Sequence, residues 1–196
     1  LLYGKTANIR AARDAGVKIG LGSDWSPTGS KNLLGELKAA RLASQAAGGV
    51  FADRDLVAMV TRNAAAILKW QAAIGSLEAG KRADLIVIDG TPADPYAGLI
   101  EAKETDIKLV MVNGVARYGL PKLMAKLGAA TGETVRVGGK TRTLFLDQPT
   151  ADPDVGPISL GSATTKLTDA LHRMPELAAA LENPPIPHAF SRSPLD

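Results

Sequence analysis

Ten residues, Lys18-Ile19-Gly20-Leu21-Gly22-Ser23-Asp24-Trp25-Ser26-Pro27, constrain this chain more than any others. A short apolar run broken by small residues predicts a buried strand. It ends on a carboxylate, followed at once by a polar loop containing proline. A strand buried on both faces belongs to a parallel sheet. In a (β/α) barrel, a carboxylate at the C-terminal end of a strand points into the mouth that holds active sites. Gly20 and Gly22 mark a bulge or the close approach of another backbone or a ligand. Read locally, Asp24 also suits a turn or cap.

The flanks have the rhythm of a β/α repeat. Residues 5–15 (KTANIRAARDA) predict a helix closed by Gly16. After the loop, Asn32 can cap the next helix, with Glu36 in its first turns favoured by the helix dipole. Leu33, Leu37, Ala40 and Ser44 line one face of that helix, Lys38 and Arg41 turn towards solvent, and Gly48-Gly49 ends it. A further helix capped by Asp53 carries Leu56, Val60, Ala64 and Ile67 at helical spacing. Strands follow at 83–88 and at 107–112, the second turning through Asn113-Gly114 into Val115-Ala116-Arg117.

Three motifs stand in order: Gly22-Ser23-Asp24, then Thr61-Arg62-Asn63-Ala64-Ala65, then residues 75–89 (GSLEAGKRADLIVID). Together they resemble the C-terminal end of amidohydrolase superfamily enzymes, the metal-dependent hydrolases that include deaminases, dihydroorotases and imidazolonepropionases. The resemblance covers about Leu1 to Gly119, and GKRADLIVID is its most specific part. It implies an α/β fold made of the C-terminal part of a (β/α)8 TIM barrel, part of a composite β-sandwich and an α/β extension. The corresponding spans are 1–72, 73–119 and 120–196.

In that family the aspartate closing the last barrel strand binds the catalytic metal and shuttles a proton from its water, and Asp24 matches that position. The resemblance therefore implies one or two divalent ions, most often zinc, and hydrolysis or deamination of a C–N bond. Relatives carry further ligands: an H-x-H pair after the first strand, a Lys or Glu in some branches, and two later histidines. The histidines of this sequence, His172 and His188, form no such pair. The chain opens on Leu1 without methionine, and the expectation is the C-terminal piece of a longer enzyme. Alone it supplies Asp24, and one carboxylate does not make a zinc site.

Trp25, next to that aspartate, is read either as a wall against a flat or apolar substrate or as packing under the loop. In some relatives polar residues early in this helix stand near the active-site mouth, which makes Asn32 a candidate substrate contact, though the cap is its readier role. Asn63 is expected to satisfy a backbone group. Lys81 and Asp84 of GKRAD are expected to fix the Gly80-Lys81 turn rather than to react.

Beyond residue 119 the pattern predicts a short helix at 120–127, a hairpin at 134–146 with Gly138-Gly139 at its turn, and a Pro- and Asp-rich loop at 147–159. Leu167, Leu171 and Met174 then share a helical face, and Pro175 restarts the helix with Leu177 and Leu181. Gly138-Gly139 lacks the spacing of a phosphate loop.

Composition narrows the alternatives. Hydrophobic content of 45% and charged content of 22% are those of a globular protein. A net charge of +3, without runs of like sign, argues against a nucleic-acid surface. No apolar stretch is long enough to span a bilayer. The absence of cysteine suits a reducing compartment, and the expected location is cytoplasmic. The expected partners are a small-molecule substrate, the preceding part of the same protein, and further copies of the chain in a homo-oligomer, with neither nucleic acid nor membrane. The rival expectation is a catalytically silent fragment or domain that serves in assembly or binding.

Overall fold

A computed structural model describes residues 7–24, 29–90, 92–147 and 158–182. The chain divides into two compact units, Leu1–Phe145 and Leu146–Asp196.

The first unit opens with four helices. Helix α1 (Ile9–Asp14) begins at Asn8, whose side chain accepts from the Ala11 amide. Gly16, at φ +67°, follows it. Helix α2 (Leu33–Ala46) is capped by Asn32, as its sequence predicts. The predicted third helix is two: α3 (Asp53–Met59) and α4 (Arg62–Ile67). Thr61, at φ −129° and ψ −102°, leaves helical geometry between them. Asp53 is the first residue of α3 rather than its cap, and Asp55 reaches back to accept from the Ala52 amide at 3.1 Å.

Leu37, Leu56 and Met59 pack with Ile100 of α5 (Pro95–Glu101) to form one core. Arg41 reinforces this helix cluster, pairing with Asp53 at 2.8 Å and Glu101 at 3.1 Å. Its side chain is therefore partly covered and bridges helices, where the sequence placed it towards solvent.

The expected strand at the start of the chain is an extended segment without a strand partner among the described residues. Its ladder groups turn to helices instead. The Leu21 amide donates to Met59 O at 3.1 Å, and Asn63 Nδ2 donates to Ile19 O at 3.3 Å. Ile19 and Leu21 pack against the helical core. The segment is extended, but it is not the expected buried strand: Ile19 and Leu21 are half-buried and Lys18, Gly20 and Gly22 are exposed. A parallel strand is defined by neighbours, which this part of the chain does not supply. Gly20 approaches α4, since a Cβ there would stand 3.7 Å from Ala64 Cα, while Gly22 faces open space.

The sheet among the described residues is antiparallel, in the order β1-β2-β3-β5-β4. Its strands are β1 (Leu85–Ile88), β2 (Ile107–Val112), β3 (Val115–Gly119), β4 (Glu133–Val137) and β5 (Lys140–Leu144). Asn113 (φ +52°) and Gly114 (φ +78°) make the predicted tight turn between β2 and β3. A three-residue turn, Glu104–Asp106, leads into β2. Helix α6 (Pro121–Lys126) lays Met124 on the sheet, where it forms a second core with Leu109, Ala116 and Ala129. The β4–β5 hairpin continues the sheet that β1–β3 begin, through Tyr118–Leu144 and Gly119–Thr143 pairing.

The second unit holds α7 (Leu160–His172) and α8 (Met174–Glu182), separated at Arg173 as Pro175 predicts. Ser159 and Ser162 cap α7 reciprocally, each hydroxyl accepting from the other's amide at 3.0 Å. No helix of the described residues is long and apolar enough to cross a membrane.

Candidate functional site

Asp24 ends the extended segment and is exposed. Four interactions set the start of the following helix and the loop that leads to it. Ser23 Oγ donates to Ser30 O, pinning the two ends of that loop together. The Ser30 amide donates to Glu36 Oε1 at 3.1 Å, which ties the loop to the first turn of α2. Asn32 Oδ1 accepts from the Gly35 amide at 3.1 Å. A Cβ at Gly35 would stand 2.8 Å from Ser30 Cβ, so a larger residue there requires Ser30 to shift. Ser30 thus lies directly on the first turn of α2.

The other end of the Asn32 side chain reaches the sheet. Asn32 Nδ2 donates to Glu104 Oε1 at 2.8 Å. This donor holds the Glu104 carboxyl below its ordinary range, helped by its own backbone amide and by the charges of Lys38 and Lys31, against a small opposing effect of burial. Lys38, expected in solvent, instead sends its ammonium to the carbonyls of Leu34 and Ala102. Both ends of the Asn32 amide are engaged, so its position is that of a cap and bridge.

Trp25 lies outside the described residues, as does His188. His172 is exposed in the last turn of α7. Among the described residues no group of three or more His, Cys, Asp or Glu side chains could hold a metal ion. Glu104, Ser23 and Ser30 escaped the sequence reading. The Asn32–Glu104 pair spans 72 residues, and neither residue carries a pattern that announces the other.

The GKRAD residues serve turns. Lys81 Nζ donates to Ser76 Oγ at 2.6 Å and to Glu78 Oε1 at 3.1 Å, closing the Gly80-Lys81 turn. Hydrogen bonds from Ser76 and Lys81 hold the Glu78 carboxyl below its ordinary range. Asp84 accepts from the Asn113 amide. It secures the β2–β3 turn, not the one beside it in sequence. Asn63 satisfies a backbone carbonyl, as expected.

The amidohydrolase family pattern matches residues 2–117, more than half of the chain. This chain belongs to the amidohydrolase family. It is 35% identical over 158 residues to a 5-methylthioadenosine/S-adenosylhomocysteine deaminase of Symbiobacterium thermophilum, covering 69% of this chain and 36% of that protein. It is 35% identical over 127 residues to an imidazolonepropionase of Bdellovibrio bacteriovorus, covering 62% and 28% respectively. Among solved structures, a mutant of the atrazine chlorohydrolase TrzN from Arthrobacter aurescens TC1, complexed with zinc and atraton, is similar. There the TM-score is 0.50 at 32% identity, over 63% of this chain and 32% of the other. The chain thus spans about a third of the length of these relatives. The family match ends inside β3, so α6, β4, β5, α7 and α8 lie beyond it.

Proposed function

We propose that this chain is the C-terminal part of a metal-dependent amidohydrolase that hydrolyses or deaminates a C–N bond at a ring carbon of a small nitrogen heterocycle or cyclic amide. In this reading residues 1–72 complete a TIM barrel, and 73–119 join strands from the preceding part of the protein in a sandwich. The observation that carries it is the position of Asp24. It is an exposed carboxylate at the end of an extended apolar segment, inside the family-matched residues. The deaminase and imidazolonepropionase relatives support the reaction class, and the zinc in the chlorohydrolase supports a divalent metal.

A carboxylate oxygen suits zinc, and because no group of three candidate ligands forms among the described residues, the rest of the ligand set must come from outside them. When bound, the ion supplies a water whose pKa is lowered to about neutrality. Asp24 would be one of the residues holding the ion, and its carboxylate would take up a proton and deliver it to the leaving nitrogen. Trp25, next to Asp24 in sequence, is the candidate for contact with a flat or apolar substrate. Asn32 caps α2 and ties its start to Glu104.

Asp24→Asn in the longest natural reading frame that encodes this chain tests the proposal. The parent is expected to bind zinc and release ammonia from an aminoheterocycle such as 5-methylthioadenosine, and the variant to lose on the order of 10²–10⁴ in turnover. Near-parental turnover in the variant sinks the role of Asp24. The incomplete ligand set favours one rival, a silent domain with an assembly or binding role. A natural product of 196 residues that binds no zinc would establish that rival.

A further inference from the structure

The β4–β5 hairpin, which the family match does not reach, carries a buried cation. Arg142 is only 4% exposed. Its Nε donates to Ile107 O at 3.1 Å, Nη2 to Thr105 O at 2.8 Å and Nη1 to Thr141 O at 2.9 Å. Lys140 Nζ adds a donor to Thr105 O at 3.3 Å. Gly138, at the hairpin turn, lies so close that a Cβ would collide with the Thr105 methyl. Burying a guanidinium is costly unless its donors are satisfied. Here two of them are spent on the carbonyls of Thr105 and Ile107, around the turn that leads into β2. That turn is closed by the Lys103 amide donating to Asp106 at 2.9 Å, and it begins with Glu104, the partner of Asn32.

We propose that Arg142 is a positioning residue for the Asp24 site. Its grip on Thr105 and Ile107 fixes Glu104, Glu104 fixes Asn32, and Asn32 fixes the start of α2, to which Ser30, the partner of Ser23 beside Asp24, is tied. The inference rests on the reading of Asp24 above. It gives the hairpin a task that sheet pairing alone does not. A role confined to the sheet would loosen β2 when Arg142 is lost and leave residues 30–36 untouched.

Hydrogen exchange followed by mass spectrometry, on the longest natural reading frame, separates the two. Arg142→Met keeps the apolar stem and removes the donors. It should speed exchange of the amides at 30–36 by about tenfold while α3 stays unchanged, because local openings report local restraints. Glu104→Ala should do the same, and the double variant should be no faster than either single one, since both break one link. Rates at 30–36 within about twofold of the parent in folded Arg142→Met, or multiplying effects in the double variant, would overturn the proposal. Should Arg142→Met fail to fold, Arg142→Lys, whose single nitrogen cannot reproduce the forked grip on both the Thr105 and Ile107 carbonyls, replaces it in the same cycle with the same criteria. Zinc titration of Asp24→Asn keeps the underlying reading separate. Parental zinc affinity there removes Asp24 from the metal, whereas the exchange rates decide the Arg142 link on their own.

Discussion

Asn32 Nδ2 lies 2.8 Å from Glu104 Oε1, and this bond joins the start of α2 to the turn that opens β2. The same side chain accepts the Gly35 amide, so one amide group both starts a helix and anchors it to the sheet. Its placement fixes the residues just before α2, including Ser30, which Ser23 beside Asp24 reaches.

Asn32→Ala removes both functions and should destabilise the protein by roughly 1 kcal/mol through the lost cap, with a further contribution from the freed Glu104. Asn32→Ser keeps the cap acceptor and gives up the bridge, so it should fall between Ala and the parent. Urea unfolding of the three proteins measures this; equal midpoints for parent and Ala would show that the cap contributes nothing.

The lowered pKa of Glu104 makes the bridge sensitive to acid. Because the folded state holds this carboxyl below its ordinary value, the unfolded chain binds the proton more readily. The stabilisation is full above the ordinary carboxylate pKa, near about 4.3. It is lost as pH falls through the lower folded-state value. Glu104→Gln should therefore flatten the acid limb of stability against pH and leave the limb above neutrality unchanged. An acid limb as steep in the variant as in the parent would remove Glu104 from the linkage.

Much of this arrangement was legible locally and little of it over distance. Asn32 before an apolar periodic run predicts a cap, Asn113-Gly114 predicts a tight turn, and Pro175 predicts the break between α7 and α8. All three depend on neighbours within a few residues, and all three are present. The segment 18–22 is extended, with only Ile19 and Leu21 half-buried, yet it is no strand, because pairing depends on what lies beside it. Asp84 securing Asn113, and Arg142 gripping Thr105, depend on sheet register, which residue spacing does not encode. The hairpin at 133–144 was legible as a hairpin, but not as a continuation of the sheet.

Gly35→Ala sets two effects against each other. Alanine improves helix propensity by about 1 kcal/mol over glycine. Its Cβ would stand 2.8 Å from Ser30 Cβ, so the loop must move. The loop is pinned by Ser23 rather than by the core, and it should yield first. The variant is therefore expected to keep parental stability within about 0.5 kcal/mol while exchange at Ser30 and its neighbours rises. A loss above about 2 kcal/mol would mean that the loop is held as rigidly as the core.

The edge of the sheet makes the last prediction. Strand β1 pairs with β2 on one side, and Ile86 and Val87 remain 43% and 39% exposed. Leu42 on α2, and Leu68 and Trp70 just beyond α4, add exposed apolar surface, each more than half exposed. An open strand edge beside apolar surface templates pairing with another chain. The 196-residue chain by itself should self-associate in a concentration-dependent way, read by light scattering during size-exclusion chromatography. Val87→Lys puts a charge on that edge without touching either core, and it should shift the population towards monomer. Self-association undiminished by Val87→Lys would move the contact away from β1, to the exposed helical residues. A cooperatively folding monomer from the unaltered chain would show that these faces need no cover.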